Sequence, residues 1–434
     1  MENLTPRGTR DFLPKDMILF NNLIDTIRKT YEKYGFVPLD TPVFEKLSVL
    51  TKKGGGGEEI KKEIYVFKDK NGRELGLRFD LTVPSARVVA NNTSIKMPFK
   101  RYYINKVWRY NRPGKGRFRE FWQSDIDIYG VEDMTADAEC IACTSEALMN
   151  IGFKEFMILI NDREILNEVV RDAGVPKENV ISVFRAMDKL DKISVEGVKE
   201  ELKKINLKEK TIKKILEILN LSGKFEAVLK IMKKKYSTNK GLKRLEELYK
   251  LLKYYDLKDR IVFDLSLVRG LEYYTGPIFE IRSTKKGYGS LGGGGRYDNL
   301  LKLYGKKSIP AVGFSIGIER VFSLMKELRS VKEKESLTNV FVAPIGKKML
   351  DEAIILTQTI RDAGISTEYD LMGKSLSKQL EYASNKKIPF VIIVGEKDMK
   401  QNKVVVRDMR LGKDNKMYLA DVINYLKENL RVSL

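Results

Sequence analysis

The residues best equipped for chemistry fall in two stretches. In FDLSLVRGLEYYTGPIFEIRS, Arg269 stands where the alternating apolar run Leu265–Val268 gives out; Tyr273 and Tyr274 follow, and Pro277–Ile281 reads as a second strand. Just beyond, in GYGSLGGGGRYDN, Gly292–Gly295 let backbone approach a ligand closely. An arginine at a strand end, paired tyrosines and a facing glycine run describe a small polar pocket. A hairpin with an exposed arginine and two core tyrosines would leave the four glycines without a role. The second stretch is RFREFWQSDIDIYG. Period-two alternation puts Arg117, Arg119, Phe121, Gln123, Asp125 and Asp127 on one face and Phe118, Trp122, Ile126 and Ile128 on the core side. Upstream, LGLRFDLTVPSAR reads as a strand with Asp80 and Thr82 on one face.

Composition narrows the chemistry. The chain of 434 residues has no histidine, which removes Ser-His-Asp and Cys-His nucleophilic catalysis, histidine-ligated metals and a histidine pH switch. Catalysis must rest on arginines, carboxylates, backbone dipoles and a substrate that brings its own nucleophile. A net charge of +21 favours a polyanionic partner, nucleic acid ahead of membrane. Cys140 and Cys143 lie in AECIACTSEALM at helical spacing, as small buried residues rather than a redox pair, and two thiols cannot complete a four-ligand zinc site. No protein-held metal site is expected. With no apolar signal core and no apolar run of membrane length, a cytoplasmic chain with no membrane partner is expected.

LVRGLEYYTG and GGGGRYDNL resemble the two histidine-specific motifs of histidyl-tRNA synthetases, class II aminoacyl-tRNA synthetases that build on an antiparallel sheet. The resemblance runs from PRGTRDFLP to the carboxy-terminal domain. KRYYINKVWRYNRPGKGRFREFWQ looks like motif 2, IPAVGFSIGIERVFSLM like motif 3, and GFVPLDTPVFE, read as a strand with Pro42 inside it, like motif 1, whose proline lies at the dimer interface. The resemblance implies a homodimer and ATP-dependent ligation of L-histidine to tRNA(His) through a histidyl-adenylate. ATP is then a substrate accompanied by Mg2+. Acyl activation suits a chain without histidine, since the amino acid's carboxylate is itself the nucleophile.

By the same resemblance Arg109 and Arg269 flank the α-phosphate as catalytic residues, Arg320 takes the γ-phosphate, and Phe121 with Arg320 sandwiches the adenine. Asn111 and Arg117 complete the ATP-binding set. Asp80, Thr82 and Gln123 surround the ammonium group, and Asp127 with Tyr274 meets the imidazole. Arg269, Tyr273, Tyr297 and the backbone of Gly294 and Gly295 close the histidine pocket. Two positions depart from the family pattern: Asn111 stands where motif 2 usually has an acid, and Glu272 where an aspartate is usual. The alternative reading is a histidine-binding regulatory subunit of ATP phosphoribosyltransferase, which shares the fold without the catalysis.

The expected fold class is α+β. A catalytic domain spans 1–161 and 256–325 around the class II antiparallel sheet flanked by helices, and a helical insertion occupies 162–255. A linker, 326–338, leads to an α/β anticodon-binding domain over 339–434. Residues 201–250 hold 15 Lys+Arg against 6 Glu, and the resemblance assigns such an insertion to the tRNA acceptor arm. Elsewhere LTKKGGGGEEIKKEIYVFKDKNG reads as a flexible loop, with Gly54–Gly57 near the active site, and a hairpin turned at Asn71-Gly72.

Overall fold

A computed structural model describes residues 5–52, 57–114, 116–269, 273–285, 289–305, 307–328 and 335–431. Glu272, most of the tetraglycine loop and the middle of the 326–338 linker lie outside the described residues. The chain divides into two compact units, Met1–Asp11 with Leu23–Val331, and Phe12–Asn22 with Lys332–Leu434.

The first unit is organised by a sheet of nine strands among the described residues. Its order is Val37–Pro38, Phe99–Trp108, Glu120–Tyr129, Ala311–Gly317, Ser290–Arg296, Pro277–Ser283, Phe156–Asp162, Ile261–Asp264 and Ser222–Lys224. The six strands from Phe99–Trp108 to Phe156–Asp162 pair antiparallel throughout. Alternation along Glu120–Tyr129 sets the two faces: Ser124 Oγ donates to Tyr31 Oη at 3.0 Å on the helix-covered side, and odd-numbered residues project the other way. The helix Met134–Asn150 carries both cysteines, buried and free. Burial raises the pKa of each thiol. A buried ion pair ties this helix to the glycine strand. Arg296 bonds Asp137 and donates to the carbonyls of Val131 (2.8 Å) and Asp133 (3.0 Å).

Several expectations shift at element boundaries. The strand before Arg269 is Ile261–Asp264, so Leu265–Val268 is buried coil. GFVPLDTPVFE divides into Val37–Pro38, on the edge of the large sheet, and Phe44–Lys46, in a separate three-stranded sheet. Pro42, which has no N–H to give a ladder, falls in the gap. The segment after the tetraglycine is a helix, Gly57–Glu63, because EEIKKE has good helix formers throughout. The hairpin turn does form, with Gly72 at φ +78. Asp80 and Thr82 are not on a strand: the strand ends at Leu77 and Thr82 opens the helix Thr82–Asn91. Residues 117–119 precede their strand, which begins at Glu120; Phe118 lines the cavity described below and Trp122 is only half-buried, so neither is core.

The 162–255 segment is helical as expected, apart from the short edge strand Ser222–Lys224, but it lies within the first unit. Val183, Phe184, Met187, Leu202, Ile212 and Ile215 share one core with Leu267, Val268 and Ile278. Buried Asp162 fastens the junction by capping Glu164 N–H (2.8 Å) and taking both Nε (2.9 Å) and Nη2 (2.8 Å) of Arg244.

The second unit holds a five-stranded sheet ordered Thr367–Tyr369, Val340–Pro344, Phe390–Val394, Lys403–Asp408, Lys413–Tyr418. The first three strands are parallel, and the two central ones are apolar runs, whereas the edge strand TEY carries little signal. The closing antiparallel hairpin was not anticipated, because its last strand, KDNKMY, is almost wholly exposed and has no apolar alternation.

The centre of the large sheet is glycine. A Cβ on Gly294 would run into the Gly313 carbonyl oxygen and come within 2.6 Å of the Phe279 ring. Gly294→Ala should therefore overpack the sheet and destabilise the first unit by about 1–3 kcal/mol. The measurement is the urea midpoint, and an unshifted midpoint would contradict this packing.

Candidate functional site

Above this glycine centre lies a cavity of about 630 Å³. Its walls include Asp80, Thr82, Arg109, Asn111, Arg117 and Phe121 from the amino-terminal half. Gln123 and Asp127 line it from the Glu120–Tyr129 strand. Arg269, Tyr273, Tyr274, Gly294, Tyr297 and Arg320 complete the set from the carboxy-terminal half. Of the residues that the resemblance assigns to ATP or histidine, Gly295 alone stays outside the lining. Its Cα side faces Pro277 and the Tyr274 ring, and Gly292 and Gly293 line the cavity instead. Arg119, on the expected ligand face, also turns away, over the Tyr110 ring at 4.1 Å.

One end of the cavity is built from hydrogen-bond acceptors. Asp127 is buried and ion-paired to Arg101, a fully buried arginine, and it accepts from Tyr297 Oη. Burial raises the Asp127 pKa against the pull of Arg101. Asp125 is buried, with the Ser315 hydroxyl facing its carboxylate. Burial pushes its pKa up to about 7, offset only in part by Arg101. Gln123 donates Nε2 to Ser315 Oγ at 2.7 Å, which leaves buried Oε1 unpartnered and available. Burial also raises Asp80 to about 6, although it accepts from Val83 N–H at 3.1 Å. Tyr273 and Tyr274 meet edge to face at 4.6 Å, and Tyr273 and Tyr297 at 6.1 Å, so three rings wall this end.

The other end is cationic. Arg109 donates Nε to the Phe79 carbonyl at 2.8 Å and lies 5.3 Å from the centre of the Phe121 ring. Arg269 pairs with Glu280, a fully buried carboxylate that also takes Arg282 Nε at 2.5 Å. A Cβ on Gly293 would stand 3.0 Å from Arg269 Nη1, so glycine clears this arginine's path. Arg320 bonds the Ser290 carbonyl. Burial, then the like charges of Arg269 and Arg117, lower its pKa. Beside it buried Glu319 accepts the Trp122 N–H with both oxygens at 2.7 Å and is raised to about 7 by burial. The motif 3 helix is thereby tied to the strand that carries Phe121.

Sequence reasoning missed Arg101, Glu280, Glu319, Gly313 and the insertion's Arg185 and Asp188, the last two also lining the cavity. Glu280 had a signal, a carboxylate inside the apolar run PIFEIR. Gly313 had none: a Cβ there would collide with Asp127 Oδ1, which only the folded pairing reveals.

Comparison with known proteins gives the family. Residues 8–321 match the family model described as histidyl-tRNA synthetase, and residues 339–429 match an anticodon binding domain. The chain belongs to the histidyl-tRNA synthetase family. It is 39% identical over 431 residues to the histidine–tRNA ligase of Pyrococcus furiosus, covering 98% of this chain and 99% of the relative. The histidine–tRNA ligase of Clostridium tetani is also 39% identical over 431 residues, covering 97% of each. A solved histidyl-tRNA synthetase from a Nostoc species superposes with a TM-score of 0.85 at 28% identity, covering 99% of this chain and 100% of that one. A Bacillus halodurans structure described as an ATP phosphoribosyltransferase regulatory subunit/histidyl-tRNA synthetase superposes with a TM-score of 0.76 at 25% identity. It covers 91% of this chain and 98% of that one.

The buried acid at the acceptor end carries a pH signature. With Asp125 near 7 folded and about 4 unfolded, the folded state keeps a proton the unfolded chain has lost. Stability therefore falls as pH rises through that window and levels off above it. Asp125→Asn mimics the protonated form, so its Tm advantage over wild type should grow from pH 5 to pH 8. A difference that is constant with pH would mean that Asp125 is ionised throughout.

Proposed function

We propose that this protein joins L-histidine to tRNA(His) in two steps, with ATP as the co-substrate. The observation that carries the proposal is the division of one cavity into an acceptor-rich end and an arginine-rich end. Histidine offers an ammonium group and an imidazole, and ATP offers a triphosphate. At the acceptor end Asp80, Thr82 and Gln123 Oε1 receive the ammonium group. Asp127 and Tyr274 meet the imidazole, whose one donor and one acceptor need a partner of each kind. Arg101 and Tyr297 keep Asp127 in place.

In the first step a histidine carboxylate oxygen attacks the α-phosphorus, and the bond to pyrophosphate breaks. Negative charge grows on the α-phosphate oxygens. Arg269, held by Glu280, and Arg109, held by the Phe79 carbonyl, are fixed before that charge appears, so they stabilise it without reorganising. Arg117 and Arg320 hold the outer phosphates, and Phe121 stacks on the adenine. Among the described residues no cluster of three or more acidic or cysteine side chains could hold a metal ion. Mg2+ is assigned to the triphosphate because it would neutralise phosphate charge. In the second step the terminal ribose hydroxyl of the tRNA attacks the histidyl carbonyl carbon and AMP leaves.

The remaining assignments are proposals of the same kind. The unit carrying 339–429 is assigned to the anticodon, and the lysine-rich 201–250 stretch to the acceptor arm. A homodimer is supported by an apolar surface around the motif 1 segment, where Val37, Val43, Phe44 and Phe67 are each exposed by 40% or more. A cytoplasmic location is proposed for a tRNA-charging enzyme, and among the described residues no helix is long and apolar enough to cross a membrane.

Histidine-dependent ATP–pyrophosphate exchange, repeated with the other amino acids, tests the reading. Exchange with histidine alone is expected, and Arg269→Ala should slow it by roughly 10²–10³ while the fold survives. Near-normal exchange in that variant would remove the catalytic assignment. The insertion calls for a gentler test than deletion, because its helices share a core with Leu267 and Val268. Lys213, Lys230, Lys234 and Lys243 are exposed, and changing all four to Gln should raise KM for tRNA. The salt dependence of tRNA binding should flatten by close to one unit for each tRNA phosphate that these lysines no longer neutralise. Exchange, which needs no tRNA, should hold. Unchanged charging and an unchanged salt slope would make these lysines a solvated face.

A further inference from the structure

The motif 2 position that usually carries an acid is Asn111, and the fold brings a carboxylate to it from elsewhere. Glu63, the last residue of the helix Gly57–Glu63, accepts Asn111 Nδ2 on Oε2 at 3.2 Å. Its backbone carbonyl takes the Tyr110 N–H at 2.7 Å, and Tyr65 meets Tyr110 edge to face at 5.5 Å. Helix end and motif 2 loop are therefore joined three times over. Glu63 and Asn111 line the same cavity as Phe121 and Arg320.

The chemistry of the pair fixes an orientation that neither residue could fix alone. A primary amide presents a donor from nitrogen and an acceptor from oxygen, and rotation by 180° exchanges them. An ionised carboxylate only accepts, so the nitrogen of Asn111 must face Glu63. The oxygen is left for the ligand. That site then offers an acceptor to the edge of a purine, as a carboxylate at position 111 would have done.

We propose that Glu63 is a positioning residue for purine selection. By holding Asn111 with Oδ1 turned to the base, it favours a purine with an amino group at position 6 over one with a 6-oxo group. The proposal rests on the reading that the cavity takes ATP with its base at Phe121. It names what in this chain replaces the missing motif 2 acid. Freed of the carboxylate, the amide turns over and donates to the oxo group instead, so discrimination drops while the phosphates stay bound.

The test is histidine-dependent pyrophosphate exchange with ATP and with inosine triphosphate, compared as the ratio of kcat/KM. Glu63→Gln keeps the side-chain size and the backbone bond to Tyr110, and should lower the ATP preference about tenfold or more. Asn111→Ala should lower it likewise from the other partner. Adding Asn111→Asp to Glu63→Gln should restore the preference, because the carboxylate now at 111 only accepts and the new amide at 63 donates to it. A merely structural Glu63 would lower both nucleotides equally and gain nothing from the second change. That result, or an unchanged ratio in both single variants, overturns the proposal. Wild-type protein with no histidine-dependent exchange would instead remove the underlying reading, and the two failures are told apart by which protein is silent.

Discussion

Everything in the site depends on a sheet whose middle has no side chains. Gly292–Gly295 form a central strand hydrogen-bonded on both sides, and Gly313 stands opposite Gly295 on the next strand. Remove those Cβ atoms and a shallow floor opens on one face of an otherwise close-packed layer. Asp127 lies across Gly313 and Arg269 crosses Gly293. Glycine costs conformational entropy in a strand. Here that cost is offset because both neighbours hold the strand in register, and because Arg296 at its end is anchored to Asp137 and two carbonyls.

The floor alone would not separate charge, and the walls do. Acids and acceptors come from Asp80 and the Glu120–Tyr129 strand, and guanidiniums from the motif 2 loop, the coil after Ile261–Asp264 and the motif 3 helix. Three of these arginines are held by something other than the ligand: a carbonyl for Arg109 and Arg320, Glu280 for Arg269. Preorganisation of this kind lets a fixed charge act on a transition state without first being turned toward it. The insertion takes part as well. Its core continues into Leu267 and Val268, directly beneath Arg269, and Arg185 and Asp188 reach the cavity wall. The helical segment therefore supports Arg269 while its outer face carries the lysines.

Much of this was legible in the sequence, and the losses have physical causes. Period-two alternation found the Glu120–Tyr129 strand because one face is buried and the other lines a cavity, so polarity marks the sides. It failed at Leu265–Val268, which alternates like a strand but is buried coil under the helices. It failed again at Asp80 and Thr82, where a strand hands over to a helix within four residues and the one local signal, Asp80 taking the Val83 N–H, falls on a residue read as part of the strand. Single residues with local signals were found, such as Arg269 and the tyrosine pair. Residues that act through distant pairing were not: Arg101 reads as one more cation in KRYYINK, and its partner is twenty-six positions away. Asn111 was recognised as a departure from the pattern, but its compensation by Glu63 is a tertiary contact that the chain's order conceals.

The same geometry weighs against a purely regulatory protein. The Bacillus halodurans relative, whose description carries both readings, shows that this fold does not separate them. A protein that only bound histidine would need the acceptor end, with Asp127, Tyr297 and the unpartnered Gln123 oxygen. It would have no use for the cluster of Arg320, Arg269 and Arg117. Such a cluster is unfavourable by itself: Arg320 is desolvated and sits near the like charges of Arg269 and Arg117, which is why its proton is held less tightly. Charge of one sign concentrated along a cavity wall favours a ligand of the other sign. Glu280 neutralises part of it, but it is one carboxylate shared between Arg269 and Arg282. On the proposed function a triphosphate would match the excess, and the carboxylate of a histidine bound at the acceptor end would lie between the two halves. The two ends of the cavity are then parts of a single reaction rather than two separate binding sites.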